Sequence, residues 1–270
     1  IDFMNAGSVA FQMLRDAPGV TRELVDYNAY TGLLFNLTRP VLRDPSIRRA
    51  IATALDVPGI TERLTFGTGT PATGDLPAFM WAYEGNVRRY PYDPAEARRL
   101  LHGRKVSLVM YTTVGSTTIR QLTVQIQSML RAVGIELETK EVGPGVLSAP
   151  ASQGGIIRSG KFDIVNWGWV GGADPDDSSQ FMCDQTPPAG NNFARYCSPA
   201  VDRAERVATT SYDRSVRKRA YAEIQKRLAE DLPMVFLYWP KQRLAYSSAL
   251  EGVRSNGVTE TWNVSEWSLR

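Results

Sequence analysis

The sequence predicts an α/β fold, and three features carry that expectation. Residues 105–142 read as strand, helix, strand; "KFDIVNWGWV" supplies a further strand; and amphipathic helices open on Asp-Pro pairs. A strand–helix–strand unit closes most readily as a right-handed crossover between parallel strands, to which a third strand is added easily.

The elements follow in chain order. In "RDPSIRRAIATALD", Asp44 is placed to cap a helix, Pro45 suits its first position, and Ile47, Ala50, Ile51, Ala54 and Leu55 form one stripe. "YDPAEARRLL" repeats the device: Asp93 caps, Glu96 is placed to complete a capping box, Ala97, Leu100 and Leu101 face inward, and Arg98 and Arg99 face water. "KVSLVMYTT" is short and rich in β-formers. After it, Ile119, Leu122, Ile126, Met129, Leu130 and Val133 recur at helical spacing as far as Gly134. "IELETKEV" then alternates apolar and charged residues, as a strand with one solvated face does. A helical or loop segment around Gln153–Ser159 leads to the next strand, in which Val165, Trp167 and Trp169 share one face and Ile164, Asn166 and Gly168 the other. One helix follows Pro199 with Val201, Ala204, Val207 and Ala208 inward, and another is capped by Asp213 and carries Val216, Ala220, Ile224 and Leu228. "LPMVFLYWP" reads as a strand stopped by Pro240, and the residues beyond it as short β-like pieces broken at Gly252 and Gly257.

Composition narrows the function. With 270 residues, 43% hydrophobic and 22% charged, the chain can build a sizeable core and has room for two lobes. Its net charge of +3 comes from 31 basic and 28 acidic residues with no basic block, which argues against nucleic acid as a partner. No apolar run approaches the roughly 20 residues that span a bilayer. The single histidine, His102, beside a helix end, rules out a multi-histidine metal centre, and no phosphate-binding glycine motif or nucleophile motif is present. Neither an enzyme nor a cofactor is expected. Asp174, Asp176 and Asp177 lack the spacing and central glycine of a calcium loop, so "ADPDD" reads as a turn rather than a metal site.

Two further features point to a site. Cys183 and Cys197 flank the polar loop "DQTPPAGNNFARY". They are either free buried thiols or a bridge, and the low apolar content of the loop favours the bridge. Closing such a loop would stabilise the fold by about 3 kcal/mol and imply an oxidising compartment. Trp169 falls at the C-terminal end of its strand, where open α/β sheets place ligands, and Gly171 and Gly172 after it allow close approach to the backbone. Trp169 is therefore either a cleft wall or a cover for the sheet end, and Trp167 is expected in the core.

"FNLTRPVLRDPSIRRAIATALD", "YPYDPAEARRLL", "LRAVGIELE", "KFDIVNWGWVGGADPDD" and "RKRAYAEIQKRLAEDLPMVFLYW", in that order, resemble the C-terminal half of the family 5 extracellular solute-binding proteins. These are the peptide- and nickel-binding components of bacterial ABC importers. The resemblance implies the C-terminal α/β lobe of a two-lobed, periplasmic-binding-protein-like (type II-like) clamshell, with the terminal segments belonging to the other lobe. Residues 1–33 would be hinge and first-lobe segment, 34–231 the C-terminal lobe, and 232–270 the return to the first lobe. It implies that Trp169, Val170, Gly171 and Gly172 line a ligand cleft, and it supports the Cys183–Cys197 bridge.

One departure bears on the ligand. Peptide-binding members carry an aspartate shortly after this tryptophan that pairs with the peptide ammonium, and the matching position here is Gly172. Asp174 substitutes only if the turn brings it inward, so a sugar-like or other solute competes with peptide. The implied protein is a monomeric, extracytoplasmic solute carrier of an ABC importer, working with permease subunits in the periplasm or at the cell surface. The sequence begins without Met and within a pattern, so a piece of a longer protein, lipid-anchored through a preceding segment, is expected. The rival expectation is the ligand-sensing domain of a transcriptional regulator, which a helix-turn-helix upstream of Ile1 would favour.

Overall fold

A computed structural model describes residues 2–270. The chain opens with strand β1 (Phe3–Asn5), helix α1 (Ser8–Met13) and strands β2 (Val20–Asp26) and β3 (Ala29–Phe35). Helices α2 (Pro40–Arg43), α3 (Pro45–Thr53) and α4 (Val57–Thr65) lead to the short strand β4 (Thr70–Pro71). Next come α5 (Pro94–Leu101), β5 (Val106–Thr113), α6 (Thr117–Arg131) and β6 (Ile135–Val142). The single turns α7 (Pro144–Ser148) and α8 (Ile156–Ser159) precede β7 (Ile164–Val170) and α9 (Ser178–Phe181). Helices α10 (Pro199–Thr210) and α11 (Arg214–Asp231), then strands β8 (Met234–Trp239), β9 (Lys241–Ser247), β10 (Leu250–Glu251) and β11 (Ser268–Leu269), complete it.

The helix starts follow the expected chemistry, with one exception. The Asp44 carboxylate accepts from the Ser46 amide at 2.8 Å, Asp213 from Ser215 and Val216, and Asp93 from Ala95 and Glu96. The capping box at α5 does not form. Glu96 reaches forward to Arg99 at 2.6 Å, and the Asp93 amide donates to Thr53 O at 2.8 Å instead. With the backbone of α3 already satisfying the Asp93 amide, the glutamate has no donor to cap.

β5 and β6 pair in parallel through α6, and β7 adds to β5 in parallel, as the strand–helix–strand pattern requires. The full sheet is larger and mixed, in the order β4-β8-β3-β7-β5-β6, with β3 antiparallel to both β7 and β8. Alternation along β3 sends Leu33 and Phe35 into a core shared with α3–α6, and Tyr30 and Leu34 into a second core shared with α10 and α11. The result is a helix–sheet–helix sandwich. Gly32 sits where β3 shifts register against β8; a Cβ there would lie 2.5 Å from Val235 O, so no larger residue fits without moving the strand.

The main sheet crosses both domain boundaries drawn from the resemblance. A break at 33/34 cuts β3, the partner of both β7 and β8, and a break at 231/232 strips β8 out of the sheet's interior. Strand pairing decides membership, and pairing partners distant in sequence leave no trace in a local apolar pattern. The segments that do lie apart are β1, β2 and β9, which form a three-stranded sheet, and β10 with β11. The chain therefore passes between sheets at two short links, Tyr27–Asn28 and Pro240. Pro240 stops β8 as expected, but the chain resumes at once as the seven-residue β9 rather than as short pieces.

One inward assignment changes, and one basic residue is buried. In α10 the buried positions are Val201, Ala204, Glu205 and Ala208, while Val207 is 44% exposed. The stripe has the regular i, i+3, i+4, i+7 spacing, and a glutamate occupies one of its places. Arg48 in α3 is 7% exposed and donates to Asp231 O at the C-terminal end of α11, and to Leu42 O and Arg43 O. A cation among the orphan carbonyls of helix ends is well placed electrostatically.

Candidate functional site

Burial falls off along β7 toward its C-terminal end. Ile164 and Val165 are buried, Asn166 and Trp167 are half-buried, Gly168 is exposed, Trp169 is half-buried, and Val170 is 55% exposed. Trp167 is thus less enclosed than expected. Its indole lies edge-to-face against Phe193, with ring centroids 5.1 Å apart, and packs against the second core. Trp169 pairs across the sheet with Tyr30 and packs partly against the second core. Its neighbour Tyr30 is buried, with its hydroxyl donating to Gln180 Oε1 at 2.6 Å.

The turn after Trp169 is held by Asn28, a residue the sequence did not single out. Gly171 N donates to Asn28 O at 2.7 Å, and Asn28 Nδ2 donates to Gly172 O at 2.7 Å. A Cβ on Gly171 would fall 2.4 Å from Asn28 Nδ2, so glycine is needed for the clamp to close. These two backbone groups, expected to face a ligand, are spent within the chain. Asp174 does not turn inward as a free carboxylate: both its oxygens accept from Arg217 Nη2, at 2.7 and 2.8 Å, and its side chain is 54% exposed. With Gly172 at the other candidate position, neither expected position offers an unpaired carboxylate.

On the other face of β7 lies an open cavity of about 300 Å³. Its floor is Asn166, Gly168 and Thr31, and its walls include Ser116 and Thr118 at the start of α6, Tyr238, and Arg243 from β9. Tyr238 belongs to the main sheet and Arg243 to the three-stranded sheet, so the cavity is formed where the two sheets meet. Neither residue carries a sequence signal, because their convergence depends on the crossover at Pro240.

Behind Trp169, three buried carboxyl groups form a chain. Asp75 and Asp177 are 4% and 5% exposed, and Glu205 is fully buried. Asp177 lies beside both Asp75 and Glu205, and Asp75 Oδ1, both Asp177 oxygens and both Glu205 oxygens have no hydrogen-bond partner among the described residues. Burial pushes all three upward, Glu205 to about 7, and Asp75 and Asp177 well above the usual carboxylate range; the neighbouring acids add to the effect at the two aspartates. Paired acids can serve catalysis. The space that Asp75 and Asp177 line beside Trp169 is about 20 Å³, enough for one water. Among the described residues, no group of His, Cys, Asp or Glu side chains is placed to hold a metal ion.

Cys183 and Cys197 are bridged, with Cα atoms 4.4 Å apart. The loop between them is less core-poor than its composition suggests, since Phe193, Ala194 and Tyr196 are buried and Asn192 ties it to Met182 O and Tyr196 O. Among the described residues, no helix is long and apolar enough to cross a membrane.

Residues 1–192 match the family described as "Bacterial extracellular solute-binding proteins, family 5 Middle". Over 259 residues the chain is 25% identical to oligopeptide-binding protein AppA of Bacillus subtilis, covering 89% of this chain and 47% of that protein. It is 30% identical over 229 residues to di/tripeptide-binding protein 2 of Pseudomonas aeruginosa, covering 80% and 41%. The fold matches that of NikZ from Campylobacter jejuni, solved in complex with Ni(L-His), with a TM-score of 0.87 at 24% identity over 99% of this chain and 57% of that one. The chain spans less than half the length of these two curated relatives.

Proposed function

Because the chain belongs to the bacterial extracellular solute-binding proteins of family 5, we infer that it is the C-terminal portion of an extracytoplasmic solute-capture protein serving an ABC importer. The observation that carries this reading is the exposed end of β7: a half-buried tryptophan, a bare Gly168 and an exposed Val170, at the edge where the main sheet meets the three-stranded sheet. Closure of two lobes at this edge would desolvate a solute against Trp169, and the crossings at Tyr27–Asn28 and Pro240 would serve as the hinge. The solute would then be handed to membrane permease subunits. The relatives' names support a peptide, a di- or tripeptide or a nickel complex as the solute class. Gly172 and the Asp174–Arg217 pair weigh against recognition of a peptide ammonium by the route that peptide binders use.

The reading is tested by titrating the protein with dipeptides, tripeptides, glutathione and a nickel–histidine complex. Trp169→Ala should weaken binding of whichever solute is taken by about 1–3 kcal/mol through lost aromatic burial. Trp167→Ala, which removes the contact with Phe193, should instead cost about 2 kcal/mol of stability, less than a fully buried tryptophan would. Unchanged affinity in Trp169→Ala would return that residue to a purely packing role.

A further inference from the structure

At the edge of the main sheet away from β7, β8 is only partly covered. β4 pairs with it at Tyr238 and Trp239, and Ala72 N donates to Leu237 O at 3.0 Å. Beyond that point Phe236 and Val235 line an open cavity of about 390 Å³. Consecutive strand residues point to opposite faces, and these two belong to different cores, so the cavity wraps round the edge of the sheet. Ala52 and Val57 wall it on one face, and Leu228 and Ala229 on the other. A volume of this order with mostly apolar walls is what small ligands occupy, and water against such walls is displaced favourably by an apolar group.

An irregular strap, residues 83–93, runs past this edge from one helix layer to the other. Glu84 N donates to Gln225 Oε1 at 2.9 Å, the Tyr90 hydroxyl to Ala229 O at 3.0 Å, and Asp93 N to Thr53 O at 2.8 Å. Arg88 and Arg89 of the strap are exposed and line the cavity. Arg89 gives Nη2 to Gly85 O at 2.9 Å, and the Arg88 guanidinium lies 5.4 Å from the centre of the Tyr90 ring, so both meet neutral groups. The neighbouring acids are committed elsewhere. Asp56, which also lines the cavity, accepts from Gly59 N at 3.0 Å and faces Arg63 at 3.6 Å, and Glu84 faces Lys226 at 3.6 Å. Two cations without a carboxylate partner among the described residues therefore stand beside an apolar hollow.

We propose that this cavity binds a single-chain amphiphile with one anionic head, a fatty-acid-like ligand, its chain against Val235 and Phe236 and its head at Arg88 and Arg89. A chain suits the space better than a compact ring because the cavity reaches round the sheet's edge from one helix layer to the other. The site is separate from the cleft: β8 and β3 stand between it and β7, and it shares no lining residue with the space beside Trp169 or with the cavity floored by Asn166 and Gly168. Amphiphile and solute therefore bind without competing for one place.

The probes are sodium decanoate and sodium octanoate below their micellar concentrations, decyltrimethylammonium chloride as a cationic control, and phosphatidylglycerol vesicles, the soluble probes followed by calorimetry and the vesicles by co-sedimentation. Saturable one-to-one binding is expected for decanoate. Octanoate, which withdraws two methylenes from the cavity, should bind about tenfold or more weakly, and so should the cation. Arg88→Glu/Arg89→Glu, at two exposed positions, should weaken decanoate about tenfold or more and strengthen decyltrimethylammonium, an inversion that a structural role for the arginines would not produce. Ala229→Phe, which fills the cavity and leaves both arginines in place, should abolish binding of every probe; the charge reversal decides the question if that variant fails to fold. Trp169→Ala should leave decanoate binding unchanged. Decanoate binding without co-sedimentation identifies a free amphiphile as the ligand, and co-sedimentation that Ala229→Phe loses identifies a membrane lipid. Absence of binding by every probe, equal affinity for decanoate and the cation, indifference to chain length, or decanoate binding that is lost in Trp169→Ala and kept in the charge-reversed variant would overturn the proposal.

Discussion

Glu205→Gln is expected to stabilise the protein at pH 8 and to leave it nearly unchanged at pH 4.5. The reason is the buried acid chain behind Trp169. Glu205 is held at about 7 in the folded protein, against 4.5 for an ordinary glutamate. Below pH 4.5 the group is protonated in both states and contributes no difference. As the pH rises toward 7 the unfolded chain releases the proton while the folded chain retains it, so stability is lost across that window and stays lost above it. The full effect is up to about 3 kcal/mol, and the amide, which cannot ionise, should recover about 1–3 kcal/mol of it at pH 8. Asp75 and Asp177, also raised, should steepen the same slope. The opposite trend belongs to Asp44, held at about 2 first by the Ser46 hydroxyl and then by Arg104, whose stabilising contribution is lost only as the pH falls below 4. Denaturant melts from pH 4.5 to 8 should therefore show a decline in the wild type that flattens in the variant. Parallel profiles for the two proteins would show that Glu205 is not the titrating group.

Removing the bridge with Cys183→Ala/Cys197→Ala is expected to cost about 2–3 kcal/mol and to leave a folded protein. The sequence separation of 14 gives a chain-entropy contribution of about 3 kcal/mol. Phe193, Ala194 and Tyr196 in the core, and the Asn192 bonds that close the loop locally, keep the segment from coming free in the reduced state. Thermal melts of the double variant, and of wild type with and without reductant, measure this. Two alkylatable thiols in protein never exposed to reductant would mean that the bridge does not form.

Much of the lobe was legible because its elements announce themselves locally. Asp44, Asp93 and Asp213 cap the helices that their sequences suggest, and the parallel β5–α6–β6 unit and its β7 partner follow from apolar periodicity. What escaped depends on partners far apart in the chain. β3 and β8 enter the main sheet from opposite ends of the sequence, so a boundary drawn by resemblance cut through it. Asn28 acts on Gly171 and Gly172 across 144 residues, Arg217 takes up Asp174, and Arg243 reaches the cavity from a different sheet. Glu205 was the one miss with an available signal. It lies on the inward stripe of α10 between Ala204 and Ala208, where the helical spacing places it inward despite its charge and places apolar Val207 outward.

The central claim is that solute is held at the exposed end of β7. The most direct measurement is a crystal structure of the protein with the solute it retains through purification, that solute being identified first by native mass spectrometry. The account predicts density against the Trp169 ring and over Gly168, between the main sheet and the three-stranded sheet. Solute bound elsewhere, with Trp169 and Gly168 left in contact with water alone, would contradict it.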